Sequence, residues 1–235
     1  MALPWDAALR HYARMHRTAP PLAATAICLA ALAGFVDALA FTSLGGFFAS
    51  FMSGNSTRLG VGLGSGRMGE AATAIALVMS FVAGVILASV IVRAQPRRDK
   101  ALVMAGVTVL LAIAAVVASI APGALVLLLL AMAMGAENGI LHRDGEVTVG
   151  LTYMTGALVR VGQRLTAALM GDEDRWGWVP WLLLWGGFVA GVVLGVGAQA
   201  YMGWKALWFA AAASAALTLL IARVSRNDSP AIGAA

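Results

Sequence analysis

The sequence predicts an all-α integral membrane protein: six transmembrane helices plus two re-entrant or broken helical segments, built as a 3+3 inverted-topology repeat. Three observations predict it. The composition matches a lipid solvent, the basic residues fall on one side of a six-span path, and the two halves of the chain repeat each other in order.

The composition comes first. Of 235 residues, 61% are hydrophobic and 11% charged, with a mean hydropathy of +0.87, outside the range of a soluble domain of this length. The lipid bilayer is the first partner. A net charge of +5 would suit a nucleic-acid binder only if it were clustered. Here the lysines and arginines sit in short loops between apolar runs and act as topology signals, so nucleic acid is not an expected partner. The 27 glycines point to close helix contacts, because small residues let helix backbones approach in lipid. Cys28 stands alone, which excludes an internal disulfide and a multi-cysteine metal site.

Six runs are long and apolar enough to span: Pro21 to Thr42, Glu70 to Val92, Ala101 to Ala121, Gly123 to Leu141, Gly177 to Ala200 and Trp204 to Ala222. A hydrocarbon core of about 30 Å needs about 20 helical residues. Two further runs, Phe47 to Gly66 and Val147 to Gly171, are broken by Gly, Asn, Ser, Thr and Arg. If both weak runs crossed, the remaining Lys and Arg would divide almost evenly between the two sides. If neither crosses, the inside holds Arg10, Arg14, Arg17, Arg93, Arg97, Arg98, Lys100, Arg143, Arg175, Arg223 and Arg226, and the outside holds Arg67 and Lys205. That asymmetry is the usual one for short loops. It favours six spans, both termini in the cytoplasm, and weak segments that enter and leave on one side. Trp176 and Trp178 then mark the inner interface and Trp204 and Trp208 the outer one.

The repeat supports the same path. Phe81-Val82-Ala83-Gly84-Val85-Ile86-Leu87-Ala88 returns as Phe188-Val189-Ala190-Gly191-Val192-Val193-Leu194-Gly195. Met52-Ser53-Gly54-Asn55 and Arg58 return as Met154-Thr155-Gly156-Ala157 and Arg160, and Gly34-Phe35-Val36-Asp37 faces Gly135-Ala136-Glu137-Asn138. The order is kept throughout, and three crossings per half turn the second copy upside down. The expected organisation is a basic cytoplasmic tail over 1–20, a first repeat over 21–121, an inverted second repeat over 122–223 and a cytoplasmic tail over 224–235. The first tail carries Trp5, Leu9, Tyr12 and Met15 at helical spacing, so a surface helix and a disordered tail are both open. Inverted repeats place their site near the midplane, between interrupted helices.

Polar groups at that depth are costly and mark function or a buried pair. Asp37, Ser53, Asn55, Thr57, Arg58, Glu137, Asn138, Thr155 and Arg160 are the candidates for solute binding or coupling. Asp37 with Arg58, and Glu137 with Arg160, are either proton carriers beside a solute-binding cation or buried ion pairs. Arg164, one turn after Arg160, reaches for the interface. With three guanidinium groups against two carboxylates, the interior is expected to carry an excess of one positive charge. Gly54 and Gly156 either break their helices or allow close packing. The run Gly60, Gly62, Gly64, Gly66 lacks the strand and the Lys-Ser/Thr of a phosphate loop, and His142-Arg143-Asp144 lacks every other kinase element. Gly187, Gly191 and Gly195 form a helix-contact stripe.

Gly34-Phe35-Val36-Asp37-Ala38, Met52-Ser53-Gly54-Asn55, Met134-Gly135-Ala136-Glu137-Asn138 and Thr155-Gly156 with Arg160 resemble the YoaK-like family of bacterial inner-membrane proteins, a domain of unknown function. The resemblance covers nearly the whole chain. It implies a multi-pass protein of about six helices in the bacterial inner membrane and supplies no substrate. The family pattern often has Thr where this chain has Ser53, and Gln where it has Glu137.

The expected function is a transporter or facilitator of a small polar or anionic solute, with protons as a candidate coupling ion. A passive channel and a non-transporting scaffold or regulator are the alternatives. No enzyme chemistry is expected, since His11, His16 and His142 are scattered and no nucleophile has a base beside it. No cofactor or metal is expected, and glycine-rich helix faces leave a homo-oligomer open.

Overall fold

Lipid offers the backbone no hydrogen-bond partner, so long apolar runs close into helices. The computed structural model describes residues 20–43, 45–95, 99–140, 142–143, 146–147 and 154–227. In chain order it contains α1 (Pro20–Ser43), α2 (Met52–Gly64), α3 (Met68–Ala94), α4 (Asp99–Ile120), α5 (Ala124–Glu137), the short strands β1 (His142–Arg143) and β2 (Glu146–Val147), α6 (Met154–Leu169), α7 (Val179–Met202), a 3-10 turn (Gly203–Ala206) and α8 (Leu207–Asn227). Four stretches are long and apolar enough to cross a bilayer: Ala23–Ser43, Met68–Ala94, Lys100–Ile120 and Val179–Arg223, the last containing α7, the 3-10 turn and most of α8. The protein is a helical membrane protein.

One expectation changes. The run from Gly123 to Leu141 is helical only over Ala124–Glu137, 14 residues, or roughly 21 Å. The helix ends where tighter bonds replace its own: Asn138 N–H still donates to Met134 O, but Gly139 N–H donates to Ala136 O and Ile140 N–H to Glu137 O. The two-residue strands β1 and β2 pair antiparallel ahead of α6 and leave the fold all-α in class. The tail over 1–19, the start of the second weak segment at 148–153 and the end of the chain at 228–235 lie outside the described residues.

Glycines set how the long helices meet. Gly191 of α7 lies against the carbonyl of Ala31, Gly187 against Ile27 and Gly195 against Phe35. Sequence separation is the same in each pair, so α1 and α7 run parallel. The glycine stripe on α7 is thus used within the chain. On the other side, Ser80 Oγ donates to Leu128 O at 2.7 Å and Gly84 lies against the carbonyl of Met132. These separations also match, and α3 and α5 run parallel. Elsewhere α4 packs on α8 and α5, α2 on α3, α6 on α7, and α1 crosses α5. Leu29, Val36, Leu39, Leu77, Met104, Leu111, Leu130 and Met134 fill the space between them.

After α1 the chain turns back on itself. Gly45 and Gly46 have φ of 70° and 76°, the left-handed region that glycine enters without strain, and Gly46 N–H donates to Phe41 O at 3.1 Å. Residues 47–51 then run back alongside α1. Ala49 and Ser50 reach the level of Asp37, and α2 climbs again until Arg58 lies beside Gly46. Gly66, φ 72°, makes the turn into α3.

Candidate functional site

Asp37 is the centre of the turned-back segment. It is 3% exposed. Its Oδ1 accepts the N–H groups of Ala49 (2.8 Å) and Ser50 (2.6 Å), and its Oδ2 accepts the Ser50 hydroxyl at 2.6 Å. Charge-assisted bonds of this kind are the strong ones. Asn55, fully buried, grips the same segment from α2: its Oδ1 accepts Phe48 N–H at 3.1 Å and its Nδ2 donates to Phe48 O at 2.7 Å. A side chain thus replaces the ladder partner that an irregular backbone lacks at membrane depth. Gly54 lies under the rings of Phe48 and Phe51, where a methyl group would overlap them; the glycine makes room for aromatic packing.

Glu137 and Asn138 stand across the crossing of α1 and α5. Glu137 is fully buried, and neither carboxyl oxygen has a hydrogen-bond partner among the described residues. Asp37 is close enough to interact with it electrostatically. Asn138, 8% exposed, donates its Nδ2 to Met134 O at 2.8 Å. The depth follows from helix register: Gly135 packs on Phe81, midway along the 27-residue α3, and Gly34 packs on Phe188 near the middle of the 24-residue α7.

Neither expected ion pair forms. Arg58 instead donates to Gly46 O at 2.8 Å, stacks over the Phe47 ring at 4.1 Å and pairs with Glu70 at 3.6 Å. It lies higher on α2 than the end that Asp37 reaches, so the turn and the start of α3 claim it first. Arg160 is exposed and sits over the Trp181 ring at 4.8 Å, while Arg164 is exposed beyond it. Among the described residues the buried charged side chains are Asp37 and Glu137. The expected positive excess in the interior gives way to a pair of carboxyls.

Residues 25–220 match the family described as protein of unknown function (DUF1275). The chain belongs to the DUF1275 family. This DUF1275 chain is 35% identical over 196 residues to the UPF0700 transmembrane protein RA0705 of Rhizobium meliloti (strain 1021), covering 83% of this chain and 84% of that protein. It is 25% identical over 159 residues to the UPF0700 transmembrane protein YoaK of Bacillus subtilis (strain 168), covering 63% and 68%. These relatives carry the YoaK-like resemblance. No solved structure matches the chain.

The remaining candidates of this DUF1275 protein are dispersed. Ser53, Thr57 and Thr155 are exposed, and the Thr57 hydroxyl donates to Ser53 O at 3.1 Å within its own helix. Among the described residues α2 lies on α3 and α6 on α7, because each follows its own turn into the next helix. A groove of about 230 Å³ between α3 and α5, lined by Ala72, Thr73, Ala76, Leu77, Ala124, Leu127 and Leu128, touches none of the candidate residues. Ser50, Phe47 and Glu70 were not singled out. Ser50 and Phe47 lay inside a segment already marked as broken, and Glu70 looked like a helix boundary.

Proposed function

We propose that this protein carries or facilitates the passage of a small polar solute across the bacterial inner membrane, with its site at the crossing of α1 and α5. The observation that carries this reading is the buried polar break at mid-depth, where Asp37 and Asn55 hold the backbone of residues 48–50. Irregular backbone at that depth is tolerated where protein buries it or a cavity needs it. Transporters use such breaks to build sites. Carboxyls at the crossing favour a cationic or neutral polar solute over an anionic one.

The reading includes six spans and an inverted repeat. Exchange of halves turns α1 into α5, α2 into α6, α3 into α7 and α4 into α8. Gly34 on Phe188 then becomes Gly135 on Phe81, and Gly191 on Ala31 becomes Gly84 on Met132; all four contacts exist. Since α2 leaves on the side where residues 47–51 entered, α1 and α3 are antiparallel. As α3 is parallel to α5, α1 opposes its counterpart α5, which supports inversion. The excess of basic residues on one side of this path supports cytoplasmic termini.

The test is purified protein screened by thermal shift against cations, amines, amino acids and carboxylates, followed by uptake into proteoliposomes. A ligand that binds the native state raises its apparent stability. Binding and saturable uptake of one class support the reading; liposomes no more permeable than empty ones to every stabilising ligand remove it.

A further inference from the structure

We propose that Glu137 is a monovalent-cation site, one per chain, that takes a proton or an alkali-metal ion at the end of α5. Its use in coupling rests on the transport reading above; the binding itself does not.

The inference starts from an imbalance between two carboxyls. Asp37 has three donors, from Ala49 and Ser50, and is committed to holding the turned-back segment. Glu137 is more deeply buried and has none among the described residues. An ionised carboxylate without donors or counter-charge is among the most expensive groups a lipid-embedded core can hold. Something positive must accompany it.

The end of α5 favours a cation. α5 ends at Glu137, and the C-terminal end of a helix carries partial negative charge that favours cations; interrupted helices in transporters present such ends to bound ions. The nearby amide donor, Asn138 Nδ2, is spent on Met134 O. The helices packed on α5 bring Asp37 from the last third of α1, Glu70 and Arg93 from the two ends of α3, and Lys100 from the start of α4. None of these basic groups pairs with Glu137. Its counterpart in the first half is Val36, so exchange of halves creates no second site.

The experiment uses the full chain in nanodiscs and the carbodiimide dicyclohexylcarbodiimide, which couples to carboxyls in apolar surroundings, with peptide mapping to locate the adduct. The expected adduct is on Glu137 and absent from Glu137→Gln. Saturable, several-fold protection by Na⁺ or Li⁺ identifies an alkali ion; labelling that rises as pH falls and ignores alkali ions identifies a proton. Infrared difference spectra provide a second reading: a carboxyl band that responds to pH or Na⁺ and disappears in Glu137→Gln. Labelling and infrared signals that respond to neither, or that survive Glu137→Gln unchanged, overturn the proposal. Cation binding without flux in proteoliposomes would remove the transport reading alone. Flux whose dependence on proton and sodium gradients is unchanged in Glu137→Gln would remove coupling through Glu137 alone.

Discussion

Gly34 lies so close to the backbone carbonyl of Phe188 that a methyl group on it would overlap the oxygen, and the same relationship joins Gly135 to Phe81. These contacts let α1 approach α7 and α5 approach α3 in a solvent that gives helices no hydrophobic reason to associate. Gly34→Ala and Gly135→Ala should each destabilise the protein by about 1–3 kcal/mol, the usual penalty for overpacking. Neighbouring glycines provide the control. Gly187 meets Ile27, whereas Gly186 meets nothing within 4 Å, so Gly186→Ala should be neutral or gain up to ~1 kcal/mol from helix propensity. Thermal unfolding in detergent separates the two outcomes.

Asp37 should tolerate amide replacement and fail on truncation. In Asp37→Asn the side-chain oxygen can still accept from Ala49 and Ser50, and the new amide can donate to the Ser50 hydroxyl, which accepts as readily as it donates. Asp37→Ala leaves buried donors without partners, at about 1–3 kcal/mol each. The expected result is a near-native unfolding midpoint for Asn and a large drop for Ala. Faster proteolysis at residues 44–51 should accompany the drop. Equal losses in both variants would mean that the charge itself, and not the geometry, holds the segment.

Arg58 should behave as a staple rather than a solute ligand. Glu70→Ala removes a partly exposed ion pair and should cost less than about 1 kcal/mol. Arg58→Ala should cost more, since it also frees the Gly46 carbonyl and uncovers the Phe47 ring. Arg58→Lys should recover little, because a point charge cannot bridge two acceptors and stack at once. Unfolding curves of the three variants order these costs. An Arg58→Lys protein of native stability that loses ligand binding would return Arg58 to the solute site.

Topology can be read from accessibility. In a Cys28→Ala background, single cysteines at Gly66 and Lys205 should react with impermeant maleimide from outside intact cells, and those at Gln95 and Arg175 only after the inner face is exposed. Reaction of positions 66 and 95 from the same side would end both the six-span path and the inversion.

Composition and hydropathy alone determined that this chain lives in lipid and where most of its helices lie, because the constraint is local: a run of apolar residues in a solvent without hydrogen bonds must become a helix. Gly34 and Gly135, which the in-order repeat aligns, pack on Phe188 and Phe81, which it also aligns. The repeat also marked residues 47–66 as irregular. What the sequence could not decide was whom each polar group would meet. Asp37 and Arg58 look like a pair on paper, yet the turn at Gly45 and Gly46 lays Ala49 and Ser50 beside Asp37 and leaves Arg58 a full turn away, next to Glu70. Likewise nothing in the order of residues says that Glu137 ends its helix without a donor among the described residues. Burial and partner choice depend on the directions in which packed helices present their side chains, and only the tertiary structure sets those directions.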